Sequence, residues 1–164
     1  MEQRRYLYLM RHGDAERKAR VTDFQRALTS FGKKQVKMQA EQFKTPMGIR
    51  PDCIFCSTAK RARETAEGLK ELFKGVPFFY RETLYLAPTH RLIDLVRETD
   101  DLFERILIIG HNPGLEQLAS LLNEEPVCIP LRTADCIVLR MNVKTWADVA
   151  AGAGKIEKIF LSAI

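Results

Sequence analysis

The sequence predicts an α/β domain: a three-layer sandwich, with a mostly parallel central sheet and helices on both faces. Three observations carry that expectation. Short apolar runs alternate with segments of helical periodicity along the chain. The run Ile106-Leu107-Ile108-Ile109 is apolar at every position, as a central strand of a parallel sheet requires. The 164 residues are enough to bury one sizeable core, and no linker, repeat or low-complexity tract divides them. Residues 1–164 are therefore expected to form one domain.

The elements follow in order. Strands are expected at 5–10, 53–56, 78–81, 105–109, 136–141 and 155–161. A first helix follows Thr29, a suitable cap, with Val36, Ala40 and Phe43 on its apolar side and Lys33, Lys34 and Lys37 free to face water. A second follows Thr58, its expected cap, where Ala62, Ala66 and Leu69 repeat the spacing. A third spans 89–96 behind Pro88, with Leu92, Ile93 and Val96 inward. A fourth carries the stripe Leu115, Leu118, Ala119 and Leu122, with Asn112 suited to the N-cap and Pro113 to the first helical position. The Ala151-Gly152-Ala153-Gly154 segment reads as a turn between the last two strands.

Composition narrows the function classes. No apolar run approaches a bilayer span, and the first apolar segment is short and ends at Arg11, unlike a secretory signal; a cytoplasmic location is the expectation. The net charge of +5 favours anionic partners, but Lys and Arg are scattered among acids, so nucleic acid is not an expected partner, nor is a membrane. Cys53 and Cys56 form a C-x-x-C, but on a strand residues three apart point to opposite faces, so the thiols are expected to be inert rather than a zinc or redox pair.

Ligands of open α/β sheets bind beyond the carboxyl ends of the strands. Arg11-His12-Gly13 follows the first strand, Arg61 follows the second, and His111 follows the central strand and precedes a helix. All four polar side chains can therefore meet at one end of the sheet. Two guanidiniums offer fixed forks that match phosphate oxygens. The helix start near Asn112 offers backbone N–H groups and a positive dipole end. A neutral imidazole can attack phosphorus, with a second histidine donating to the phosphoryl oxygens, and this scheme requires neither a metal nor a cofactor.

Arg11-His12-Gly13 resembles the signature of the histidine phosphatase, or phosphoglycerate mutase-like, superfamily. The stretch Ser57-Thr58-Ala59-Lys60-Arg61-Ala62-Arg63-Glu64-Thr65-Ala66 is similar to its second motif, and Gly110-His111-Asn112-Pro113-Gly114 to its third. The short chain, Arg11-His12-Gly13-Asp14-Ala15-Glu16 and Arg26-Ala27-Leu28-Thr29-x-x-Gly32 resemble the SixA-type phosphohistidine phosphatases within it. The resemblance implies that His12 is transiently phosphorylated, and that Arg11, Arg61 and His111 form the phosphate pocket, with the backbone N–H of Asn112 as a helper. Two departures stand out. Thr58 replaces the usual proline, and the family's carboxylate general acid has only Glu82 as a positional match, in Arg81-Glu82-Thr83-Leu84-Tyr85. A phosphohistidine substrate lessens the need for that acid, because its imidazole leaving group is easily protonated.

The expected function is thus a metal-independent phosphatase acting through a phosphohistidine enzyme intermediate, on phosphohistidine of proteins and releasing inorganic phosphate. The alternatives are a small-molecule phosphomonoesterase of the same superfamily and a non-catalytic phosphate- or phosphoprotein-binding module. Arg63 and His90 read as surface residues, and Asp14 and Glu16 either as tuners of His12 or as solvated loop residues.

Overall fold

The computed structural model describes residues 4–162. Six strands form one sheet: β1 (Arg5–Arg11), β2 (Cys53–Ser57), β3 (Phe78–Arg81), β4 (Arg105–Gly110), β5 (Cys136–Met141) and β6 (Gly154–Phe160). Their spatial order is β3-β2-β4-β1-β5-β6. The pairs β3·β2, β2·β4 and β4·β1 are parallel, whereas β5 and β6 add antiparallel at one edge. The helices are α1 (Ser30–Phe43), α2 (Lys60–Glu67), α3 (Thr89–Arg97) and α4 (Gly114–Leu122).

The pleat separates two apolar cores. Leu7, Leu9, Cys53, Phe55, Ile106 and Ile108 point to one face, where they pack with Leu92 and Val96 of α3 and Leu115, Leu118 and Leu122 of α4. Tyr8, Met10, Ile54, Cys56, Leu107 and Ile109 point to the other, against Val36 and Phe43 of α1 and Ala62 and Ala66 of α2. This is the three-layer sandwich expected from the sequence. Cys53 and Cys56 fall in different cores, so the C-x-x-C thiols do not converge. Burial pushes both thiols up, which keeps them protonated. Among the described residues no helix is long and apolar enough to cross a membrane.

Two helix starts differ from the sequence expectation. Thr58 does not cap α2: the N-cap position is Ala59, and Ser57 Oγ accepts from the Ala59 amide at 3.2 Å. Asn112 does not cap α4 either. The helix begins at Gly114 with Pro113 at the N-cap position, and the Asn112 amide donates instead to Leu131 O (2.8 Å) and Glu116 Oε1 (2.9 Å). At Asn112 a tertiary partner, the Leu131 carbonyl, takes the polar group that an isolated helix would have used on itself, whereas the buried Thr58 hydroxyl has no partner among the described residues. Thr29 is the cap expected for α1, and its Oγ accepts from the Gly32 amide at 2.9 Å.

Gly32 is fixed by space. A Cβ there would lie 2.1 Å from Asp14 O, so only glycine lets the first turn of α1 press on the loop that leaves β1. The Thr29 hydroxyl donates to Asp14 Oδ2 (2.7 Å), and Gln35 Oε1 accepts from the Asp14 amide (2.8 Å). Asp14 therefore ties α1 to the segment that follows His12.

Candidate active site

The register of the parallel strands assembles the site. Arg11 and Gly110 are the last pair of β1 and β4, so His12 and His111 leave the sheet side by side. Their ring centroids are 5.2 Å apart, and both side chains are buried. One strand over, β2 ends at Ser57, and Arg61 rises from the first turn of α2, buried at 3% exposure. His12, His111 and Arg61 thus meet at the carboxyl end of the sheet, with Arg11 at the end of β1 next to them.

Hydrogen bonds assign the ring protons. His12 Nδ1–H donates to the carbonyl of Gly13 at 2.7 Å. Its Nε2 accepts from Arg61 Nε at 3.2 Å, so the lone pair on Nε2 faces the cationic group. His111 Nδ1 accepts from Arg61 Nη2 at 3.3 Å, and its Nε2–H donates to Ser57 Oγ at 2.7 Å. Burial is the main reason that His12 is pushed down to about 4; the nearby charges of Arg61, Arg11 and Arg26 push the same way, against the Gly13 hydrogen bond. His111 is pushed down to about 3 by burial first, then by His12 and Arg61. Both rings are neutral at pH 7 in the free protein.

The backbone holds His12 in place. Its amide donates to Gly110 O (3.1 Å), and its carbonyl accepts from Ala134 N (2.9 Å). The Gly13 amide donates to Thr65 Oγ1 (3.0 Å), whose hydroxyl donates to Arg61 O (2.8 Å), coupling the loop after β1 to α2. Arg11 is half-buried; its Nη1 donates to Leu131 O at 3.2 Å, while its buried Nε has no partner among the described residues. A guanidinium N–H left open in this place suits an anion.

Glu82 makes no hydrogen bond to the cluster, and lines a cavity beside it with Tyr85. It opens a 3-10 turn (Glu82–Leu84) with an exposed side chain that makes no hydrogen bond or ion pair among the described residues. The turn sends Tyr85 into the site instead. That ring meets His111 edge-on at 5.4 Å and Phe24 at 5.0 Å, and the Arg61 guanidinium lies 5.9 Å from its centre.

Asp23 is the residue that sequence reasoning missed. It opens a second 3-10 turn (Asp23–Gln25) in the loop between β1 and α1. Arg61 Nη1 donates to its carbonyl at 2.7 Å and Nη2 to its Oδ2 at 3.1 Å. Arg26 Nη1 donates to Oδ1 at 2.9 Å, and the Tyr85 hydroxyl donates to Oδ2. The Tyr85 hydrogen bond, with those from Arg26 and Arg61, holds the Asp23 carboxyl well below the usual carboxylate range. The only sequence signal was proximity to Arg26, itself quoted in a motif but given no role.

What the arrangement can do follows from its parts. A neutral, lone-pair-bearing imidazole sits buried near the guanidiniums of Arg61, Arg11 and Arg26, at the end of a parallel sheet. Such a place stabilises a tetrahedral oxyanion next to a nucleophile. Among the described residues no group of three or more His, Cys, Asp or Glu side chains is arranged to hold a metal ion.

Comparison with known proteins agrees with this geometry. The family described as the histidine phosphatase superfamily (branch 1) matches residues 7–85, which include His12 and Arg61. An uncharacterized protein of Mycobacterium tuberculosis is 27% identical over 156 residues, covering 90% of this chain and 96% of its own. Among solved structures, a candidate phosphohistidine phosphatase SixA from Nakamurella multipartitia superposes with a TM-score of 0.83 at 22% identity, covering 96% of each chain. A SixA counterpart from Agrobacterium tumefaciens gives 0.79 at 22% identity, covering 96% of this chain and 97% of its own. The matched residues contain the motif at the end of β1 and the second motif at the end of β2, and over that part the chain is similar to the histidine phosphatase superfamily, while the solved structures share its fold.

Proposed function

We propose that this protein is a phosphatase that hydrolyses phosphohistidine on proteins through a phosphorylated His12. One observation carries the reading: His12 presents Nε2 as a lone pair, with its Nδ1–H fixed on the Gly13 carbonyl, beside the Arg61 guanidinium. A buried imidazole in that tautomer is a ready nucleophile.

In the first step His12 Nε2 bonds to phosphorus as the bond from phosphorus to the leaving imidazole nitrogen breaks, and that nitrogen takes a proton from solvent. Arg61 swings its Nε–H from His12 to a phosphoryl oxygen, which frees the lone pair. Arg11, through its open Nε, and His111 bind the other oxygens. In the second step water attacks phosphorus, the bond to Nε2 breaks, and inorganic phosphate leaves with His12 neutral again. The guanidiniums act chiefly on the charge of the transition state. No step calls on a metal or cofactor. This sequence needs no proton from Glu82, which is exposed and makes no hydrogen bond to the cluster. The Asn112 side chain serves the site from behind, by holding the Leu131 carbonyl that Arg11 also uses.

Support for a protein substrate comes from the chain itself. Among the described residues the connections at the site, the longest of them residues 12–29, carry only 3-10 turns and no inserted domain, so a histidine side chain on a partner surface can reach in. The test compares initial rates on a phosphohistidine-bearing phosphocarrier protein and on small phosphomonoesters, with His12→Ala as control. The expected result is turnover of the phosphoprotein at a kcat/KM at least tenfold above any small ester, lost in the variant. A preference for small esters would transfer the site to small-molecule hydrolysis.

A further inference from the structure

Arg61 has five N–H donors, and in the free protein four of them are taken. Nε serves His12, Nη2 serves His111 and Asp23 Oδ2, and one Nη1–H serves Asp23 O. Arg26, the other guanidinium on this side, is bound by Asp23 Oδ1 and by the Glu16 carbonyl (2.6 Å). One exposed aspartate therefore bridges two arginines of an anion pocket and draws on the Tyr85 hydroxyl as well. Its place in the chain allows movement. The loop is pinned at its base by the bridge between Ala15 and Leu28, but the Asp23–Gln25 turn buries none of its residues.

We propose that Asp23 is an internal anion that competes with the phosphoryl group for Arg61 and Arg26, and so sets how tightly the site holds phosphate. This rests on the reading of the cluster as a phosphate pocket. An entering phosphoryl group must take N–H donors from the Asp23 carboxylate, and it meets that negative charge until the turn moves away. When phosphate leaves, Asp23 recovers the arginines and the pocket closes on itself. The contact weakens the bound substrate and the bound product alike, so its effect falls on KM and on phosphate release rather than on the chemical step. Tyr85 helps to keep the carboxylate in place by donating to Oδ2, the oxygen that Arg61 also uses.

Titration calorimetry with inorganic phosphate at pH 7.5 tests this without relying on turnover. Asp23→Asn is expected to bind phosphate about tenfold more tightly than the natural protein, with a KM lowered in parallel. Asp23→Ala is expected to change in the same direction, and Asp23→Glu to stay near the natural value because it keeps the charge. Tyr85→Phe, which removes the hydroxyl from Oδ2, is expected to tighten binding by a smaller factor. Unchanged or weaker phosphate binding in Asp23→Asn would overturn the proposal, since that is what a carboxylate that merely orients Arg61 would give. The two readings fail separately. Tighter binding in a protein that turns over no phospho-donor defeats the phosphatase assignment alone, whereas normal turnover with no tightening defeats the role of Asp23 alone.

Discussion

Arg61 reaches His12, His111 and Asp23 with one planar group, which a lysine ammonium cannot do. Arg61→Lys is expected to lower kcat/KM by about a hundredfold or more, as loss of a preorganised oxyanion donor does. Arg63→Ala, two residues on and outside the cluster, is expected to stay within about twofold, because Arg63 donates only to the Thr58 carbonyl near the surface. Assaying both variants on one substrate checks this. The histidines give a second outcome. His12 is pushed down to about 4 and His111 to about 3 in the free site, and a dianion placed between them favours their charged forms. Binding of sulfate, which is a dianion at pH 5, is therefore expected to take up protons, read as a buffer-dependent enthalpy of binding. At this scale Arg11, His12, Arg61 and His111 were legible because each follows the end of a strand that its apolar pattern reveals. Asp23 and Tyr85 were not, because both lie at short 3-10 turns without periodicity, and only tertiary structure brings them to Arg61.

The elements were legible where a single pattern decided them. All six strands fall within one residue of the expected bounds, since the apolar pattern and the burial of the sheet agree. Helix starts were less legible. Thr29 caps α1 because its hydroxyl has a local amide to accept from, whereas Asn112 is drawn away by Leu131 and Glu116, partners distant or hidden in a linear reading. Two outcomes belong here. Thr29→Ala removes the cap and the bond to Asp14, and is expected to cost about 1–2 kcal/mol in chemical denaturation. Gly32→Ala places a Cβ 2.1 Å from Asp14 O, a backbone atom that cannot move without shifting the loop after His12. It is expected to lower both Tm and kcat/KM, since the same loop carries the nucleophile and its Gly13 partner.

At the scale of the whole molecule, two cores back one sheet, and the polar cluster sits at the end where the parallel strands finish. Burying two uncharged imidazoles there links folding to pH. A histidine with a folded value near 4 and an unfolded value near 6.5 binds more proton when unfolded throughout that interval. Stability is therefore full above pH 6.5 and is lost as pH falls toward 4, with His111 adding to the loss in the same direction. Saturating phosphate is expected to reduce this slope. The central claim is that the phosphoryl group passes through His12, and acid-free quenching during turnover followed by intact-mass and peptide analysis tests it most directly. The account predicts one phosphoryl group, labile to acid and located on His12, absent from His12→Ala, which also has no turnover. Turnover retained by His12→Ala, or an adduct on any other residue, would contradict it.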